Sequence, residues 1–347
     1  MRFGRVAVRD AVGAVSAHTI RAGDATLRKG TVVGADDAER LARAGIESLV
    51  AARLEPGDVG EDEAAGRLAA ALAGENLTVA RAFTGRANLF SACPGILVVD
   101  EAALRAANGV DEAVTVATLP AYKPVVAGEM AATVKIIPYA VPGGVLARAC
   151  ASTAGGALAV APYRRRRVGV ISTRLPSLKE ATIDKTLRVL AERLAPTGSA
   201  IVREIRVPHA DEAVATALAQ AIDGDGADLV VVFGASAIAD RRDVIPAGIE
   251  AAGGSVAHLG MPVDPGNLLL VGSRGGVPVI GAPGCARSPK ENGFDWILHR
   301  LLADLAVTRA DIVALGVGGL LMEIVSRPQP RAGGAATAAD AEPSPGA

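Results

Sequence analysis

The sequence predicts an α/β protein: a three-layer α-β-α domain built on a mostly parallel sheet, preceded by a mixed α+β accessory domain. Three observations predict it. From Val168 onward, apolar runs of strand length alternate with helical patterns, the signature of a parallel sheet covered by helices on both faces. Hydrophobic residues make up 50% of the 347 and aromatics only 3%, so Val, Ile, Leu and Ala must fill the core, as strands buried on both faces require. Before about residue 150 the elements are shorter and broken by frequent Gly and Pro.

Within the accessory domain, 1–150, residues 38–45 read as a short helix ended by Gly45 and followed by a strand over 48–52. Residues 61–72 form a second helix. Asp58, Glu61, Asp62 and Glu63 gather near its N-terminus, where the helix dipole favours acids; they read as a solvated first turn rather than a metal cluster. Residues 96–100 look like a buried strand leading into a helix, and 145–165 like a helix and linker. That linker ends in Arg164–Arg167, a solvated lead-in to the next strand.

The α/β domain is expected over 165–310. Its strands fall at 168–172, 200–207, 228–233, 256–259, 268–271 and 278–280, and its helices at 179–194, 211–222, 245–252 and 288–305. The run 228–233 is the clearest central strand. After Arg327 the chain is rich in Pro, Gly and Ala without periodicity, which predicts a disordered tail over 328–347.

Composition also narrows function. A net charge of -1 argues against a general nucleic-acid binder. Cys93, Cys150 and Cys285 are scattered and outside metal-ligand spacing, so they read as reduced thiols. The chain opens without a signal-peptide apolar region, and the longest apolar stretch, 136–161, is broken by Pro138, Pro142 and Arg148. A cytoplasmic protein with no membrane or nucleic-acid partner, acting on a small molecule as a homo-oligomer, is the expectation.

In open α/β sheets, ligands bind beyond the carboxyl ends of the strands. That rule selects three loops: 172–177, 234–243 and 281–290. Their small residues let backbone N–H groups approach an anion, and the helices that follow add a favourable dipole. Arg174, Arg241, Arg242, Arg287 and Lys290 supply charge for phosphates, while Asp240 and Asp243 are the candidate Mg²⁺ ligands. Other constellations carry less. Gly316–Gly319 lacks the strand–helix unit of a dinucleotide site. His18, His209, His258 and His299 show no ligand spacing and read as structural or surface residues. Ser236, His258 and Asp243 come without the nucleophile elbow of a hydrolase. Thr84–Asn88 reads as a polar turn carrying one cation.

The segment Gly234–Pro246, with its Arg242-Asp243-Val244-Ile245-Pro246 ending, resembles the signature of molybdopterin-binding domains. Met261–Leu270 is similar to the Lys-Pro-Gly-Lys segment of molybdopterin molybdenumtransferases, and Pro278–Ser288 to their Gly-Leu-Pro-Gly-Asn-Pro-x-Ser turn. The likeness covers about 165–305; Asp10–Ile20 also resembles the start of the transferases. It implies a three-layer fold that binds adenylylated molybdopterin and, in the transferases, inserts molybdate with release of AMP, assisted by Mg²⁺. On that reading Thr173, Arg174, Gly234, Ala235, Ser236, Pro265, Gly266, Pro283, Gly284, Arg287, Ser288 and Lys290 hold the ligand, and Asp240 and Asp243 place the metal and carry catalysis. Where the transferases carry Thr-Gly-Asp-Glu, this chain has Thr173-Arg174-Leu175-Pro176, and their Pro-Gly lysines are Asp264 and Asn267. Arg174 and Arg287 are the expected replacements, reaching one cleft from opposite loops. The alternative is a non-catalytic carrier that hands the cofactor to a molybdenum cofactor nucleotidyltransferase or a molybdoenzyme.

Overall fold

In the computed structural model, which describes residues 1–23 and 25–321, the alternation after Val168 becomes one six-stranded sheet. Its strands are β1 (Arg167–Arg174), β2 (Ala200–Pro208), β3 (Leu229–Phe233), β4 (Ser255–Leu259), β5 (Leu270–Arg274) and β6 (Val277–Ala282), in the order β2-β1-β3-β6-β5-β4. The helices between them are α1 (Glu180–Leu194), α2 (Asp211–Ala219) and α3 (Val244–Ala251), with α4 (Gly293–Leu302) after β6. The tail expected to be disordered, 328–347, lies outside the described residues.

The sheet is mostly parallel, and β3 lies parallel to β6 with Val230 opposite Val279. Its far edge turns antiparallel, because β5 and β6 are joined by Gly275-Gly276 alone. Both glycines have positive φ, 57° and 82°, the conformation a two-residue hairpin turn demands.

Period-2 alternation along β3 makes the three layers. Val230 and Val232 share a core with Val214 and Leu218 of α2 and Ile245 and Ile249 of α3. Phe233, offset by one residue from Val232, meets Phe294 of α4 with ring centroids 6.5 Å apart. Each such buried side chain contributes about 1.5–3 kcal/mol of apolar burial. Gly248 lets α3 lie close on α2: a Cβ there would come within 2.7 Å of Val214 Cβ.

Helix α4 starts at Gly293, five residues later than the apolar pattern suggests. Pro289 holds the preceding Ser288 extended (ψ 144°), and Asn292 then opens the helix. The Asn292 side chain accepts from the Phe294 N–H at 3.1 Å, and the Asp295 carboxylate accepts from the Asn292 N–H at 2.8 Å, a reciprocal cap.

The described residues form two compact units: Met1–Val168 with Leu190–Val202 and Trp296–Ala306, and Gly169–Val189 with Arg203–Asp295 and 307–321. The first unit holds small antiparallel sheets. Its largest runs in the order Val114–Thr118, Met130–Ile136, Arg86–Ser91, Leu77–Val79. The helix Glu61–Leu72 buries Leu68 and Leu72 in a core with Leu89, Ile136, Leu146 and Leu158. The segment 145–165 is not only helix and linker. After the helix Gly143–Ser152, the residues Leu158–Pro162 form a strand antiparallel to Gly95–Val99. No helix among the described residues is long and apolar enough to cross a membrane.

Candidate functional site at the carboxyl edge of the sheet

Thr173, near the end of β1, is fully buried, and its hydroxyl ties three strand ends together. It accepts from the Ala235 N–H at 2.7 Å, beyond β3, and lies 2.8 Å from His209 Nδ1, just beyond β2. The His209 N–H also donates to the Arg174 carbonyl at 3.0 Å. Gly234 follows β3 directly, and only glycine fits there: a Cβ would sit 2.5 Å from the Ser236 carbonyl oxygen and 2.9 Å from Ile245 Cδ1.

The chain beyond that turn presents donors. The N–H groups of Ser236, Ala237 and Ile238 make no hydrogen bond among the described residues, and Ser236 and Ala237 are exposed. The loop closes on Asp243, whose carboxylate accepts from Ala239 N–H at 3.1 Å and from Val244 N–H at 2.7 Å, capping α3. Consecutive unbonded amides are the kind of donor group that an anion can bind.

Loop 281–290 is locked to this turn by Arg287. Its guanidinium donates to the Gly234 carbonyl at 2.9 Å and to Thr186 Oγ1 on α1 at 2.8 Å, and it lies 5.3 Å above the Phe233 ring. Burial pushes the Arg287 pKa down from its ordinary value. Arg174 turns elsewhere, to Glu180 at 3.3 Å, in a surface network that includes Arg206 and Asp184. The hydrogen bonds from Arg206 and then Arg174 hold the Glu180 carboxyl below its ordinary range. The two arginines expected to meet at one cleft are therefore each engaged separately. Among the remaining cations, Arg241 donates to the Val256 carbonyl at 3.1 Å, and Lys290 is exposed with its N–H on Ser288 Oγ at 3.3 Å.

Pro265 and Gly266 are buried rather than at the open edge. The Pro265 carbonyl accepts from the Gly293 N–H at 2.9 Å. At Gly266, with φ 143°, a Cβ would come within 3.0 Å of the Gly293 backbone. Both residues seat the start of α4. Pro283 is buried, and Gly284 is exposed at the start of a short helical turn.

The Asp240 and Asp243 carboxylates share one turn, and each is used within it. Asp240 Oδ1 accepts from Arg242 Nε at 2.8 Å and from the Arg242 N–H at 2.9 Å, and Arg242 holds the Asp240 carboxyl below its ordinary value. Asp243 accepts a backbone N–H on each oxygen as a helix cap. No group of three or more His, Cys, Asp or Glu side chains is placed to hold a metal among the described residues. Both carboxylates are thus already engaged by groups of their own turn. Ser236, His258 and Asp243 do not assemble as a hydrolase: Asp243 caps α3, and His258 Nδ1 faces Arg309 at 3.4 Å.

His209 is the contact that sequence reasoning missed. The signal lay in its position, the first residue beyond β2, where the same strand-end rule applies.

Residues 168–303 match the family model described as "Probable molybdopterin binding domain", and residues 5–53 one described as "Domain of unknown function (DUF8806)". No curated protein matches the chain. Among solved structures, the chain is similar to the molybdopterin biosynthesis MoeA protein from Pyrococcus horikoshii, at 16% identity over 87% of this chain and 75% of that one, with a TM-score of 0.31. It is similar to the molybdopterin biosynthesis enzyme MoaB from Thermus thermophilus, at 17% identity over 40% of this chain and 97% of that one, with a TM-score of 0.28. A molybdenum cofactor biosynthesis protein from Pyrococcus furiosus matches at 12% identity over 90% of this chain and 65% of that one, with a TM-score of 0.26. Residues 168–303, which take in the strands of the six-stranded sheet from Val168 on and the helices around them, are thus the part of the chain that matches the molybdopterin-binding domain family model.

Proposed function

We propose that the protein acts in molybdenum cofactor biosynthesis by binding molybdopterin, or its adenylylated form, with the ligand phosphate on the amides of Ser236, Ala237 and Ile238. The observation that carries this reading is the run of three unbonded N–H groups beyond Gly234, in a domain of this family. Thr173 and Arg287 act through the backbone: one anchors Ala235 and the other Gly234, so the donors are positioned before the anion arrives. Lys290 and Ser288 lie on the loop that Arg287 joins to this turn, and add charge and a hydroxyl for the remaining phosphate oxygens.

The geometry favours a carrier. Asp240, Asp243, Arg174 and Arg287 are each engaged within the protein, which leaves binding groups better provided than catalytic ones. A second reading, a molybdenumtransferase-like enzyme that inserts molybdate with release of AMP, is favoured by the Arg242-Asp243-Val244-Ile245-Pro246 segment lying on the same loop. Incubation with adenylylated molybdopterin and molybdate, with and without Mg²⁺, separates them. A carrier retains the ligand on the protein and releases no AMP; a transferase releases AMP in step with loss of the adenylylated form. Failure to retain or consume either pterin refutes both.

A further inference from the structure

A cavity lies wholly within the first compact unit, far in sequence from the loops above, and has a volume of about 760 Å³. Pockets that take small molecules run from roughly 300 to 1,000 Å³, so this one has room for a ligand of nucleotide size.

Three cationic side chains line it, beside the Met1 ammonium, which is paired with Glu55 and Asp58. Lys135 pairs with Glu61 at 3.6 Å and donates to the Thr84 carbonyl at 2.6 Å. The Lys29 ammonium makes no hydrogen bond or ion pair among the described residues. Arg86 donates one N–H to Thr133 Oγ1 at 3.1 Å and pairs with no acid among the described residues. Glu61 offsets one positive charge, and burial pushes its carboxyl above the ordinary value. An excess of cationic donors remains facing the cavity. Its lining also includes apolar side chains: Phe3 and Ile137 are each 59% exposed, although the chain has only 5 Phe to bury.

The cavity rim is also strained. Phe83 and Arg86 exchange backbone hydrogen bonds of 2.9 and 3.1 Å across Thr84-Gly85, a two-residue hairpin turn with φ 49° and 70°. Such a turn favours Asn-Gly, and a β-branched residue at positive φ is strained. The surroundings force it. The Asp62 carboxylate accepts from the Gly85 N–H at 2.6 Å, and a Cβ on Gly85 would come 2.7 Å from Lys135 Nζ. Backbone strain of this kind is often found beside ligand sites. Here the turn fixes where Arg86 leaves the strand.

We propose that this cavity binds a phosphate ester carrying a planar ring, with Lys29 and Arg86 on the phosphate and Phe3 and Ile137 against the ring. The proposal does not rest on the function proposed for the carboxyl edge of the sheet.

Calorimetric titration of the full chain with AMP, ribose 5-phosphate and adenosine tests it. AMP should bind, ribose 5-phosphate more weakly, and adenosine least. Lys29→Ala and Arg86→Ala should each weaken AMP about tenfold, the loss expected for one charge-assisted hydrogen bond. Phe3→Ala should weaken AMP but not ribose 5-phosphate. Ser236→Pro, at the other site, should leave this binding in place. Competition by molybdopterin tells a pterin ring from a nucleotide ring, and in both cases binding must depend on Lys29 and Arg86. Lys29→Glu, which reverses a charge on an exposed side chain, keeps the test valid if Arg86→Ala fails to fold. AMP that does not bind at millimolar concentration, or binds equally well to Lys29→Ala, Lys29→Glu and Arg86→Ala, overturns the proposal.

Discussion

Replacing Arg287 with alanine removes the brace between two loops, and the structure allows the cost to be worked out. The guanidinium makes two hydrogen bonds, to the Gly234 carbonyl and Thr186 Oγ1, and lies over the Phe233 ring. Hydrogen bonds from a charged donor contribute about 1.5–3 kcal/mol each, and a cation over a ring about 0.5–1 kcal/mol. Against this stand the cost of burying the cation, visible in its lowered pKa, and the ordering of a long side chain. Thr186 keeps its bond to the Thr182 carbonyl at 2.7 Å, so only the Gly234 carbonyl is stranded. The net loss should be about 2–3 kcal/mol. For a domain of this size that is a fall of roughly 5–10 °C in Tm. Arg287→Lys, which keeps the charge without the fork, should lose about half as much. Urea unfolding with an unchanged slope reports the stability, and a parallel titration reports affinity for molybdopterin. If Arg287→Ala unfolds at the wild-type midpoint yet loses ligand tenfold, the residue is a ligand contact and the brace argument fails.

Three further outcomes follow from the same geometry. Thr173→Val keeps the shape but strands the Ala235 N–H and breaks the contact with His209, so it should cost about 1–3 kcal/mol in urea melts, with Thr173→Ser nearer wild type; equal losses would refute the anchor role. Asp243→Ala should cost about 1 kcal/mol as a lost helix cap and Asp243→Asn much less, whereas an equal loss in both would mark a charge requirement. His258 is pushed below its ordinary 6.5 by burial and then by Arg309 and Arg241. The unfolded chain therefore takes up that proton first, and stability should be untouched above pH 6.5 and fall below it, by at most about 1.4 kcal/mol per pH unit. Urea melts from pH 7 to 5 should show this slope shrink in His258→Gln; the same slope in both would assign it to other groups.

Much of the α/β domain is legible because burial leaves a simple trace. The run at β3 is apolar throughout since both of its faces are covered, and no loop composition mimics that. The antiparallel edge is harder, because β5 reads like any other strand; only Gly275-Gly276 hints at the hairpin. Leu158–Pro162 escapes since alanines alternate with its larger residues and blur a period of two. At the site, Gly234 and the strand-end loops follow from local pattern. The partners of the charged groups do not: Arg287 reaches Thr186 from 101 residues away, and Thr173 reaches Ala235 from 62. Asp243 as a cap was readable from its place before Val244, and Arg174 with Glu180 from a spacing of six residues. The cavity of the first unit has no local signature, because Lys29, Arg86 and Lys135 converge only in the fold.

The central claim is that molybdopterin phosphate sits on the amides of Ser236, Ala237 and Ile238. Amide hydrogen exchange of the full chain, with and without saturating molybdopterin, reads those groups directly, since they have no internal partner to slow them in the free protein. Slow exchange at these three amides only when the ligand is present is the predicted result. Bound ligand with all three exchanging as fast as in the free protein would contradict it.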